Sequence, residues 1–168
     1  MSEAEQTRTS PFGATVGRII GEFERTSSGS GSVLSKGDIS TLRRMDTELP
    51  SIAFWKLMAV VERDDTPRGR WPLLVKCMAL MAPHVHSQDA APGHALREAG
   101  FSASSDLRIS RLLKAEGAPF EDYLISAVRY LANKGRPVNW FRFAEFVFYQ
   151  NNEAKNRLAR DFYSTRKD

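Results

Sequence analysis

"NWFRFAEFVFYQ", residues Asn139 to Gln150, sets six aromatic side chains beside one Arg and one Glu within twelve residues. It can be read as a strand that stacks bases or as a helix that buries its rings. A base-stacking strand of the RNA-recognition type reads K/R-G-F/Y-G/A-F-V-x-F/Y. From Arg142 the chain gives R-F-A-E-F-V-F-Y, which agrees at the end and departs at the second, third and fourth positions. The missing glycine matters because it is what lets a backbone approach RNA closely, and no neighbouring stretch offers partner strands. In the helical reading Asn139 is a good N-cap, and Trp140, Phe143, Phe146 and Val147 fall at helical spacing. The spacing therefore predicts a helix, apolar on most sides and set between other helices.

The remainder of the chain carries the start and stop signals of short helices. Ser10 caps and Pro11 opens a segment in which Phe12, Val16, Ile19, Ile20 and Phe23 recur at helical spacing. Ser35 and Asp38 form an S-x-x-D box ahead of Ile39, Leu42 and Met45. "SIAFWKLMAVVER" after Pro50 reads as a buried helix, and "RWPLLVKCMALMA" opens near Pro72 and closes before Pro83. Further on, "PGHALREAG" ends at Gly100. "SSDLRISRLLKAEG" begins at a Ser104/Ser105 cap with Asp106 in its first turn. "PFEDYLISAVRYLANKG" is expected to bury Tyr123, Leu124, Ala127, Val128 and Leu131, and "NNEAKNRLARDFY" sets Leu158 and Phe162 four apart. Period-two alternation and Asn-Gly hairpin signals are absent. The fold class expected is all-α, as two small helical bundles packed in one elongated chain. Residues 1–90 form the N-terminal bundle, with 26–32 ("TSSGSGS") as a flexible linker, and 91–168 form a basic C-terminal bundle.

Charge sharpens that division. Residues 1–90 carry 11 basic and 11 acidic side chains, whereas 91–168 carry 13 and 9 and so supply the whole net charge of +4. A basic half invites an acidic partner, most often nucleic acid. The apolar runs are shorter than the ~20 residues a membrane span needs, and the polar N-terminus is not expected to be a signal or transit peptide. Cys77 is the single cysteine and reads as an inert core residue; a cytoplasmic location is expected.

His84, His86 and His94 with Asp89 lack the spacing of a zinc module, so no metal site is expected. Asp64 and Asp65 read as a solvated turn. Phosphate-binding glycine loops and the nucleophile and zinc-protease motifs are absent, so neither a catalytic set nor a cofactor is expected. The basic residues are more telling. Arg108, Arg111 and Lys114 recur at steps of three along one side of a helix, opposite much of Leu112 and Leu113. Arg129 lies on the next helix, Lys134 and Arg136 flank its end, and Arg157 and Arg160 lie on the last. Lys36, Arg43 and Arg44 make a separate cluster in the first half. Such spacing suits a track along a phosphate backbone, each Arg forking onto phosphate oxygens.

The ordered set "LSKGDISTLRRM", "IAFWKL", "GHALREAG", "SDLRISRLLKA", "LISAVRYLANKGRPVNW" and "RLARDFY" resembles the CasB family, the small subunit of the type I-E CRISPR surveillance complex Cascade, over most of residues 34–163. The resemblance implies a non-catalytic, all-helical protein of antiviral defence. Its partners would be the backbone subunits that carry the crRNA, the large subunit and another copy of itself. It would hold the R-loop by contacts to the target and displaced DNA strands. The family's basic positions correspond to Arg43, Arg44, Arg108, Lys114 and Arg129; Arg111 is added from the stripe. The contrasting reading is a helical protein–protein adaptor whose basic face meets acidic protein.

Overall fold

The structure is a computed structural model describing residues 2, 5–7, 10–61 and 69–164. It is all-α, and among the described residues there is no strand; an isolated parallel bridge joins His86 to Val138. Asp64 and Asp65 lie outside the described residues. The chain divides into two compact units, residues 1–85 and 86–168.

In the first unit, α1 (Pro11–Ser28) is capped by the Ser10 side chain, which accepts from the Gly13 N–H, and it ends at Gly29 in the left-handed region. The helix runs through Ser28, so the first three residues of the Gly/Ser run are its last turn. Ser32 and Val33 then fold back, Ser32 Oγ and the Val33 N–H both donating to the Glu22 carboxylate at 2.7 and 3.0 Å. Helix α2 (Lys36–Arg43) starts with a reciprocal capping box between Ser35 and Asp38. Helix α3 (Ile52–Val61) buries Ala53, Phe54, Leu57, Met58 and Val61. Its other side carries exposed Ile52, Trp55 and Val60, so it is amphipathic rather than wholly buried as the sequence suggested. Its hydropathy is so uniform that the pattern does not mark a solvent face. Helix α4 (Trp71–Met81) completes the unit and buries Cys77 among Leu74, Val75 and Met78.

The second unit comprises α5 (Pro92–Glu98), α6 (Leu107–Lys114), α7 (Gly117–Asn133), α8 (Trp140–Tyr149) and α9 (Asn152–Tyr163). The aromatic stretch is α8. Asn139 Oδ1 accepts from the Phe141 and Arg142 N–H groups, and Trp140, Phe143, Ala144, Phe146 and Val147 are buried. The helix start is held from below by residues 86–90. Asn139 N–H donates to Ala90 O at 2.7 Å, its Nδ2 donates to Gln88 O at 3.0 Å, and Trp140 N–H donates to His86 Nδ1 at 3.2 Å. Three expectations shift. Helix α7 begins at Gly117 rather than Pro119. It buries Phe120, while Tyr123 is half-exposed. At α6 the N-cap position is Asp106, whose side chain makes no cap bond. Ser105 Oγ accepts the Leu107 N–H at 3.4 Å, as a cap there would, and a second bond comes from farther back. Ser102, at φ 60°, accepts the Ile109 N–H at 3.3 Å and donates to the Ser105 carbonyl. A side chain seven residues upstream thus satisfies one orphan donor of the first turn.

Candidate nucleic-acid interface

Helix α6 shows how a short sequence can present charge. Ile109 and Leu112 are buried, and this anchors the helix while Arg108, Arg111 and Lys114 stay exposed. At about 100° per residue, each step of three turns the next cation back by about 60°, giving a winding stripe. The buried pair is Ile109/Leu112; Leu113, expected with Leu112, is half-exposed. The helix start is also tied to the last helix, since Tyr163 Oη donates to Asp106 Oδ1 at 2.7 Å. That bond holds the Tyr163 phenol above its ordinary range.

Arg108 stacks over the Tyr130 ring of α7, its guanidinium carbon 5.2 Å from the ring centroid. This cation–π contact holds the guanidinium over the ring without using a carboxylate, so its charge is not neutralised. Arg129, next to Tyr130 in sequence, is exposed. None of Arg108, Arg111, Lys114 and Arg129 makes an ion pair among the described residues. Sequence reasoning missed Tyr130, because no local spacing reveals a ring that meets its cation across two helices. It also passed over Arg142, exposed on α8 and without an ion pair among the described residues.

Two other cations of the second unit are paired internally. Arg136 pairs with Glu98 at 3.0 Å, and Arg157 reaches Glu145 and Glu153 at 3.5 and 3.4 Å. Arg160 is exposed and makes no ion pair among the described residues.

In the first unit Arg43 and Arg44 diverge. Arg43 is the last residue of α2, and its Nε and Nη2 donate to the carbonyls of Ala79 and Ala82 at 2.7 and 2.9 Å. It thereby satisfies orphan acceptors at the end of α4, where positive charge is favoured. Arg44 follows as the exposed C-cap of α2.

Every titration shift found has a structural cause, and none marks a poised general base. Burial would raise the Glu22 carboxyl, but bonds from Ser32, Arg25 and Val33 more than offset this and leave it lowered. Asp38 is lowered by the Ser35 N–H of its capping box and by Lys56. Tyr149 is raised by burial and by Glu145. Among the described residues no three His, Cys, Asp or Glu side chains come together as a metal ligand set. No described helix is long and apolar enough to cross a membrane. The exposed chemistry is that of unpaired cations on packed helices, suited to a polyanion.

A family model described as CRISPR-associated protein Cse2 matches residues 38–163. No curated protein matches the chain, and no solved structure does.

Proposed function

The chain belongs to the Cse2 (CasB) family of type I-E Cascade subunits in CRISPR defence, and we propose that it stabilises the R-loop through contacts that ignore base sequence. In this reading Arg108, Arg111, Lys114 and Arg129 bind backbone phosphates of the target and displaced strands. Arg44 and the free edge of Arg43 add contacts from the first unit. The observation that carries it is that these four side chains lie exposed and, among the described residues, unpaired on the packed helices α6 and α7, while Arg136 and Arg157 pair with carboxylates. Lys134, Arg142 and Arg160 are exposed and, among the described residues, unpaired outside that stripe. Phosphate contacts add affinity without sequence information, as a guide-directed complex requires. Opening an R-loop exchanges DNA pairing for RNA–DNA pairing at nearly balanced cost, so a few contacts tip it. The protein partners proposed are the crRNA-bearing backbone subunits, the large subunit and a second copy of the chain. The work proposed is structural and non-catalytic, in the cytoplasm.

The deciding experiment is R-loop lifetime in complex reconstituted with R108E/K114E. A lifetime shortened several-fold, with subunit incorporation unchanged, is expected. Normal lifetime with loss of incorporation would instead favour the adaptor reading, in which the same face meets acidic protein.

A further inference from the structure

Resting on that reading, we propose that a cleft of the first unit receives one unstacked nucleotide of a single strand. Its phosphate would lie on Lys36 and Arg43, and its base against Ile39, Ala82 and Pro83. The cleft measures about 430 Å³ and lies where the end of α1, helix α2 and the Ala82–Pro83 turn converge. That volume falls within the range of small-ligand sites, about 300–1,000 Å³.

Its lining is what a nucleotide needs. Two cations, Lys36 and Arg43, stand on the wall formed by α2, and no described carboxylate lines the cleft. Lys36 is exposed and makes no ion pair among the described residues. Arg43 is fixed in advance. Bonds from Nε and Nη2 to the Ala79 and Ala82 carbonyls use one side of its fork. The far end, Nη1 with the second Nη2 hydrogen, has no partner among the described residues and matches a phosphate bidentately. A guanidinium held in this way has little rotamer freedom left to lose on binding. Ser40 lines the same space, and its hydroxyl makes no hydrogen bond among the described residues, so it is free for a phosphate or base edge. Thr26 and Ser27, which also line it, already donate to main-chain carbonyls. Ile39, Ala82 and Pro83 supply an apolar surface for the flat of a base. A bare phosphate track has no use for that surface, and it distinguishes this cleft from the open stripe on α6.

The test compares base-bearing with abasic strands on the full chain. Fluorescence anisotropy would follow binding of a short oligothymidylate, its RNA counterpart and an abasic strand of equal length and charge. Wild type is expected to favour the base-bearing strands by about fivefold, the low end for base packing without an aromatic ring; the DNA and RNA arms report which strand is preferred. Ser40→Trp, which fills the cleft without altering charge, should bring the ratio close to one while residual backbone binding persists. Ser27→Trp, at an exposed position on the α1 side, should do the same and covers the case in which Ser40→Trp disturbs folding. R108E/K114E should weaken both strands and keep the ratio. A wild-type ratio near one, or a ratio that survives both Trp variants, overturns the cleft. If R108E/K114E still weakens binding in that case, the backbone-track reading stands alone. Absence of binding to any strand removes both. Competition by polyglutamate as strong as by the abasic strand, with a ratio near one, would reassign the cleft to an acidic peptide.

Discussion

Gly93 is the position where a single methyl group decides most. It is buried near the start of α5, and a Cβ there would press on the Leu158 carbonyl oxygen and the Phe162 nitrogen and lie 2.7 Å from Asp161 Cβ. Two of these are main-chain atoms of α9 and cannot swing aside as a side-chain tip can. In an open helix, Gly→Ala gains up to about 1 kcal/mol. Here the overpacking cost, typically about 1–3 kcal/mol, should prevail. Gly93→Ala is therefore expected to lower the urea midpoint with little change in the slope of the transition. An unchanged or raised midpoint would mean that α5 and α9 separate without penalty. "GHALREAG" had the right helix, yet nothing in it marks Gly93 as a site of close approach. That requirement comes from a helix about sixty-five residues away, and a glycine inside a helical pattern looks like a defect until its neighbour is known. Asn139 is the opposite case. Its capping role was legible because both the cap and the N–H groups it satisfies lie within four residues.

Helix α3 shows the same limit for a whole element. Its ten residues, "IAFWKLMAVV", are all apolar except Lys56, so periodicity does not say which side faces water. In the fold Leu57 is fully buried, while Trp55 is 57% and Ile52 80% exposed. Lys56 lies on the exposed side and pairs with Asp38 at 3.0 Å, so the one charge in the helix was the one available marker of the solvent face. Leu57→Ala should cost about 2–5 kcal/mol, since it removes packed atoms and leaves a cavity. Trp55→Ser should cost less, about 1 kcal/mol, because the ring is mostly exposed and gives up only its edge-on contact with Phe54. Chemical denaturation of the two variants side by side checks the orientation of the helix. Equal losses would mean that Trp55 is packed. Helix α6 was read more completely. Three cations at steps of three could only be presented together, and the helix needed just one buried stripe to do so. What remained hidden was the Ser102 cap, because the chain folds back over seven residues to make it.

For the molecule as a whole, net charge understates what the surface offers. At +4 over 168 residues the chain is only mildly basic, and a protein judged by that sum would hold a nucleic acid weakly. The fold redistributes the charge. Arg136 and Arg157 are matched with carboxylates, and Arg43 is partly committed to the end of α4. Arg108, Arg111, Lys114 and Arg129 remain unpaired among the described residues, as do Lys134, Arg142 and Arg160 away from that stripe. The sequence showed where basic residues were dense. It could not show which were spent, because Glu98 lies thirty-eight residues from the Arg136 it neutralises. Salt dependence reads this distinction directly. Each phosphate contact to a single strand contributes about −0.7 to the slope of log K against log salt, so four contacts from the second unit give about −2.8. R108E/K114E should make the slope shallower by about 1.4. Substituting Arg136 or Arg157 should leave it nearly unchanged, since those side chains release few counterions. Strands of equal length and different sequence should show the same slope, because backbone contacts carry no sequence information. If the Arg136 variant flattened the slope as much as the α6 variant does, its pairing with Glu98 would have to open on binding. The track would then be wider than the unpaired cations alone define.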